Sequence, residues 1–112
     1  MADCLFCRIV AGEIPADIVV ESETAVAFKD VDPQAPLHVL VVPRTHAANA
    51  AELADAEPDT VAELVRVAAQ VSADAGHDSY RLVLNTGEEA GQSVFHAHLH
   101  VLAGRRQSWP PG

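Results

Sequence analysis

Phe95-His96-Ala97-His98-Leu99-His100-Val101-Leu102 is the stretch on which the reading of this chain turns. Histidine occupies every second position from 96 to 100, and the residues between are apolar. An extended strand sends successive side chains to opposite faces. The pattern therefore predicts three imidazoles in a row on one face, with Phe95, Ala97, Leu99 and Val101 on the other. Half of the chain's six histidines fall in this row. Three hydrogen-bonding rings in register are a costly way to fill a core, and imidazole serves as nucleophile, acid, base or metal ligand near neutral pH. The row reads as chemistry, with the nucleophile and metal-ligand roles both open.

Just upstream, Gly91-Gln92-Ser93 offers backbone N–H groups suited to cradling a phosphate or an oxyanion. The Ser93 hydroxyl is a candidate donor to a leaving group. The segment Arg81-Leu82-Val83-Leu84-Asn85 reads as a strand. A short loop over residues 86–92 joins it to the histidine strand at about 93–102, so the two pair antiparallel. Further upstream, Leu37-His38-Val39-Leu40-Val41-Val42-Pro43 is the plainest strand, with His38, Leu40 and Val42 on one face. His46 follows as the chain leaves it. Ile18-Val19-Val20-Glu21 and Ala25-Val26-Ala27-Phe28-Lys29 form a hairpin about Ser22-Glu23-Thr24.

Residues 58–75 are the main helix, with Val61, Leu64, Val65, Ala68 and Val71 at helical spacing. Pro58 suits its first turn, Thr60 and Glu63 a capping box, and Gly76 its stop. Residues 47–57 are Ala-rich and indeterminate. Residues 4–11 suit a short helix capped by Asp3 and stopped by Gly12. The sum is one α+β domain over residues 1–112: a five-stranded, mainly antiparallel sheet with one long and one short helix. Residues 105–112 form an irregular tail.

A net charge of −9, with seven Lys and Arg scattered along the sequence, argues against a nucleic-acid polymer as partner. A single phosphate is compatible, because N–H groups and imidazoles can hold it. No run approaches the ~20 apolar residues of a membrane span. The first residues lack a basic-then-apolar leader, so a cytoplasmic location is expected. In that reducing setting Cys4-x-x-Cys7 is no structural disulfide. It is half of a metal site or a pair of inert thiols.

The run Gly91-Gln92-Ser93-Val94-Phe95-His96-Ala97-His98-Leu99-His100-Val101-Leu102 resembles the signature of the histidine triad (HIT) superfamily, His-φ-His-φ-His-φ-φ with φ apolar. The resemblance extends to residues 4–16, 27–30 and 36–46 and to the closing Trp109-Pro110-Pro111-Gly112, so it covers essentially the whole chain. The most similar branch is that of the histidine triad nucleotide-binding proteins. The resemblance implies a purine nucleoside phosphoramidase that cleaves the P–N bond of adenosine or guanosine 5′-phosphoramidates. By position, His98 is the nucleophile that forms a transient nucleotidyl-histidine, and His96, His100 and His38 orient it and the phosphate. Asn85 and Ser93 match positions that contact the phosphate or leaving amine, beside Gln92. Asp30 matches the ribose-binding carboxylate, and Phe6, Ile9, Ile14, Phe28, Val31 and Leu40 match the purine slot. No cofactor is required for this chemistry.

The same resemblance implies a structural zinc held by Cys4, Cys7, His46 and His96, with two free thiols as the rival. It also implies a homodimer with a ten-stranded sheet, in which Trp109 of one subunit reaches the other's active site. Two other readings are weighed against the phosphoramidase. A dinucleoside polyphosphate hydrolase of the fragile-histidine-triad branch has glutamine in place of Asn85 and threonine in place of Ser93. A non-catalytic nucleotide-binding adaptor would not need His98.

Overall fold

Residues 25–28 and 38–43 are buried without a break, so the middle of the sheet is covered on both faces. The computed structural model describes residues 4–112. In chain order the elements are α1 (Leu5–Val10), β1 (Ile18–Glu21), β2 (Ala25–Lys29), β3 (Leu37–Pro43), α2 (Ala50–Ala56), α3 (Pro58–Asp74), β4 (Tyr80–Val83) and β5 (Leu99–Ala103). A single 3₁₀ turn, Glu88–Ala90, interrupts the loop before β5. The strands form one sheet in the order β1-β2-β3-β5-β4, and every neighbouring pair is antiparallel. No helix among the described residues is long and apolar enough to cross a membrane.

Alternation sorts the apolar side chains to two cores. Ala25, Ala27, Val39, Val41, Leu99 and Val101 pack with Leu53, Leu64, Val67, Ala68 and Val71 of α2 and α3. Val26, Phe28, Leu40 and Val42 point to the other face and pack with Phe6 and Ile9 of α1. The first core is closed by α2 and α3, seven and seventeen residues long, the second by the six residues of α1. The half-covered face is where space for a ligand remains.

Four local expectations are corrected. The histidine strand begins at Leu99, so His96 and His98 lie in the irregular approach to β5, and Phe95 is exposed instead of joining the core. The bonding explains this: the Ala97 N–H leaves the sheet and donates to the Ala47 carbonyl at 2.7 Å. At α1, Asp3 lies outside the described residues, and the cap is Cys4, whose Sγ accepts the Cys7 N–H at 3.3 Å. At α3 the Thr60–Glu63 box does not form. Thr60 is itself inside the helix, and its hydroxyl donates backward to the Glu57 carboxylate at 2.8 Å. The buried stripe of α3 centres on Leu64, Val67, Ala68 and Val71, while Val65 is exposed. The indeterminate segment over residues 47–57 resolves into α2, whose Asn49 side chain caps the Glu52 N–H.

One glycine carries a tight joint. Gly104, just after β5, has φ of +92°, and a Cβ there would sit 2.9 Å from the Pro36 ring. Only glycine lets β5 end against the loop that precedes β3.

Candidate active site

The main chain decides which nitrogen of each imidazole carries its proton. His98 Nδ1 lies 2.8 Å from the His96 carbonyl oxygen. A carbonyl only accepts, so Nδ1–H donates, and the neutral ring keeps its lone pair on Nε2. His96 is bound the other way round. Its Nε2–H donates to the Pro43 carbonyl at 2.9 Å, which leaves the lone pair on Nδ1. His38 Nδ1 accepts the Gln34 backbone N–H at 3.0 Å, so its proton sits on Nε2. That Nε2–H lies 2.9 Å from His100 Nδ1 and 3.4 Å from an Asp30 carboxylate oxygen. His100 therefore accepts at Nδ1, and when neutral it carries its proton on Nε2.

The charge states agree with these bonds. Burial pushes His38 below the ordinary imidazole value, against the pull of Asp30 and Asp32. The Asp30 oxygen at 3.4 Å is thus an electrostatic neighbour of an N–H that donates to His100, because a protonated His38 would turn an N–H against the Gln34 amide. Burial lowers His96 too, with His46 and His98 adding to the effect and the Pro43 carbonyl opposing it. His100 is pushed down to about 4, first by burial, then by His98 and His38, against the attraction of Asp30.

His98 and His100 line one end of a cavity of about 600 Å³ on the half-covered face. That volume falls in the ordinary range for small-molecule sites. The expected residues Phe6, Ile9, Ile14, Phe28, Asp30, Val31, Leu40 and Ser93 line it as well. Register explains the grouping. Phe28 pairs with Leu40, and Leu40 pairs with His100, which sets an apolar floor beside the histidines. The Phe6 ring stands edge-on to Phe28 and to His98, with centroids 5.5 and 5.0 Å away. Asp30 holds the rim through its Oδ1, which accepts the Asp32 N–H at 2.8 Å.

Other expected residues lie off the cavity wall. His38 sits behind His100 as its hydrogen-bond partner. Gln92 is buried and braces the loop, accepting from the Gly87 N–H and donating to the Ala48 and Val94 carbonyls. Asn85 stands beside Gly91, where an added Cβ would meet its Nδ2 at 3.8 Å. Trp109 is 83 % exposed on the tail. Sequence reasoning missed Leu5, Pro15, Ala16, Asp17, Lys29 and Val94, all of which line the cavity. Leu5 was findable, since it stands one helical turn from Ile9.

His96 belongs to a second cluster. Its Nδ1 lies 3.3 Å from Cys4 Sγ, 3.4 Å from Cys7 Sγ and 3.2 Å from His46 Nδ1, and Cys7 Sγ is 3.3 Å from His46 Nδ1. The four donor atoms all lie within 4.8 Å of one another. A tetrahedral zinc with these ligands has edges of roughly 3.3 Å between nitrogens and roughly 3.6 Å between nitrogen and sulfur. The donor set fits to within a few tenths of an ångström. The Pro43 carbonyl on Nε2 is the outer bond that turns a ligating imidazole toward its metal. The cluster and the cavity meet at His96, whose ring serves the first and whose carbonyl orients His98 for the second.

Residues 11–107 match the HIT domain family model. An uncharacterised HIT-like protein of Synechocystis is 47% identical over 111 residues, 98% of this chain and 97% of that protein. The crystal structure of a HIT family hydrolase from Legionella pneumophila superposes with a TM-score of 0.94 at 42% identity, covering 98% of this chain and all of the other. A histidine triad nucleotide-binding protein from Candida albicans superposes with a TM-score of 0.80 at 28% identity, over 96% of this chain and 83% of its own.

The depressed His100 has a thermodynamic consequence. Its native value of about 4 lies below the unfolded value of 6.5, so between these pH values the unfolded chain binds more protons. Its contribution to stability is complete above pH 6.5 and is lost as pH falls toward 4. The His100→Asn variant keeps an acceptor facing His38 but does not titrate. The difference in unfolding free energy between the two proteins, measured by urea denaturation, should therefore shrink from pH 7.5 to pH 4.5. Titratable groups remote from His100 are common to both proteins and cancel. A difference independent of pH would contradict the assignment.

Proposed function

The chain belongs to the HIT domain family, and we propose that within it this protein is a purine nucleoside phosphoramidase. The observation that carries the reading is the bond from His98 Nδ1–H to the His96 carbonyl at 2.8 Å, which leaves the Nε2 lone pair on a ring lining the cavity. His98 Nε2 attacks the phosphorus as the P–N bond breaks, and the departing amine takes a proton from water relayed through the Ser93 hydroxyl. Water then attacks the nucleotidyl-histidine, and the nucleoside monophosphate departs with His98 restored. Dividing one displacement into two is the logic of covalent catalysis. Ser93 supplies a hydroxyl beside the leaving group. His100, held by His38, supplies an N–H to a phosphate oxygen. Asp30 takes the ribose hydroxyls as a two-oxygen acceptor, and the base lies in the apolar slot of Phe6, Ile9, Ile14, Phe28, Val31 and Leu40.

Cys4, Cys7, His46 and His96 would hold a structural zinc, whose role is to fix the approach to β5 and with it the His96 carbonyl. All four positions are filled by protein, so the metal takes no part in the reaction. A homodimer completes the reading. The support is an open sheet edge at β4 and the exposed apolar residues Val65, Tyr80 and Leu84, with Trp109 free on the tail to reach a partner's site.

Two measurements test this function. His98→Ala should lower turnover of adenosine 5′-phosphoramidate roughly 10³-fold or more, while AMP affinity by calorimetry stays within about tenfold. Undiminished turnover would remove His98 as nucleophile. Elemental analysis of protein purified without added metal should give about one zinc per chain, and the Cys4→Ser/Cys7→Ser variant should give none. A zinc content near zero, with both thiols freely titratable, would leave Cys4 and Cys7 as ordinary thiols.

A further inference from the structure

Helix α1 is fastened to the rest of the fold through its cysteines. Among the described residues, every polar contact from residues 4–10 to anything beyond residue 14 passes through Cys4 or Cys7. Cys4 Sγ meets His96 Nδ1, and Cys7 Sγ meets both His96 Nδ1 and His46 Nδ1, at 3.3–3.4 Å. The rest of the hold is apolar, from Phe6 and Ile9 against Val26, Phe28, Leu40 and Val42.

What these contacts hold belongs to the nucleotide cavity. Helix α1 supplies Leu5, Phe6 and Ile9 to the cavity wall. His96 supplies the carbonyl that orients His98. A change at the two sulfurs is therefore felt at the base slot and at the nucleophile together. The sulfurs are also placed to change together. Cys4 is the N-cap of α1, and its Sγ accepts the N–H of Cys7, three residues on, at 3.3 Å. Residues three apart on one turn are neighbours, within the Cα separation of roughly 4.4–6.8 Å that a disulfide spans. Both cysteines are free and half-buried. Cys4 lines a surface cavity of about 520 Å³ beside His46, Ser93 and Phe95. Cys7 does not line it, so a small oxidant entering there meets Cys4 first.

We propose that Cys4 and Cys7 are a reversible oxidation site for peroxide, and that their disulfide loosens α1 and the His96 segment and so lowers the affinity and activity of the nucleotide site. The effect on turnover rests on the phosphoramidase reading and any effect on bound metal on the zinc reading; the effect on α1 rests on neither.

The chemistry takes two displacements. The Cys4 thiolate attacks one oxygen of hydrogen peroxide, the O–O bond breaks, hydroxide leaves, and Cys4 becomes a sulfenic acid. The Cys7 thiolate then attacks the Cys4 sulfur, the S–O bond breaks, a second hydroxide leaves, and the disulfide forms. The pair gives up two electrons, the peroxide takes them, and solvent protons convert both hydroxides to water. Cysteines ready to ligate a metal are thiolates, which is also the form that peroxide attacks. A disulfide sulfur is neither a thiolate ligand nor an S–H donor. All three contacts to His46 and His96 are lost in one event, and the hold on zinc is lost with them. A thiol reductant reverses the change.

The test treats the full chain, as purified, with hydrogen peroxide. Peptide mapping should find a Cys4–Cys7 disulfide within one chain, and a chromogenic chelator should register about one zinc released for each disulfide formed. AMP affinity by calorimetry should fall about tenfold, as when the docked form of α1 drops to about a tenth of the population. Turnover of adenosine 5′-phosphoramidate should fall about tenfold or more. Dithiothreitol with added zinc should restore both. Cys7→Ser should stop at a Cys4 sulfenic acid that dimedone traps. His98→Ala should form the disulfide as readily as the parent protein, which separates the oxidation from the catalytic ring. Absence of the intrachain disulfide, a sulfinic acid that dithiothreitol does not reverse, or a disulfide that leaves AMP affinity unchanged would overturn the proposal. A disulfide that weakens AMP binding in a protein that cleaves no phosphoramidate supports the proposal and contradicts only the phosphoramidase reading. The same result in zinc-free protein supports it and contradicts only the zinc reading.

Discussion

A single hydrogen bond, His98 Nδ1–H to the His96 carbonyl at 2.8 Å, sets the chemistry that the rest of the fold can support. A neutral imidazole has one lone pair on its ring nitrogens, and this bond assigns it to Nε2. The bond runs between residues only two apart, so it depends on the backbone conformation of that short segment. A regular strand from residue 93 would not provide it, because strand carbonyls are spent on neighbouring strands. The irregular approach to β5 is therefore a requirement of the site.

What holds that approach in place can be traced outward. The Ala97 amide is anchored to the Ala47 carbonyl, the His96 ring to the Pro43 carbonyl, and Gln92 ties the preceding loop to Ala48 and Val94. All of these bonds but the one to Val94 reach the end of β3 or the residues just after it, and β3 is buried on both faces along almost its whole length. The proposed zinc would add a fourth anchor at the same point. On the far side, Gln34 fixes His38 and His38 fixes His100, so the histidine end of the cavity is bounded by rings with assigned protons. This is preorganisation in its plain sense: the donors and acceptors are oriented before substrate arrives.

Much of this was legible in the sequence. The alternating histidines, the buried run from Leu37 to Pro43 and the hairpin about Ser22 to Thr24 led to the five-stranded antiparallel sheet and to the family, and the fold agrees. Phe6, Ile9 and Ile14 could be assigned to a slot with Phe28 and Leu40 only through the resemblance, since apolar spacing alone does not separate a slot from a core. The break in the histidine strand was not legible, because the hydrogen bond that breaks it joins Ala97 to a residue fifty positions away. The rotation of α3 was hidden for a similar reason. Val65 and Val67 are equally apolar, and only the position of the sheet decides which is buried.

The central claim is a proton's location, and it can be observed directly. Long-range ¹H–¹⁵N correlation of the histidine rings at pH 7.5 distinguishes a protonated from an unprotonated nitrogen at each site. The account predicts His98 as the Nδ1–H tautomer with a bare Nε2, and His38 as the Nε2–H tautomer. Finding the His98 proton on Nε2 would contradict it, since the ring would then have no lone pair to offer phosphorus.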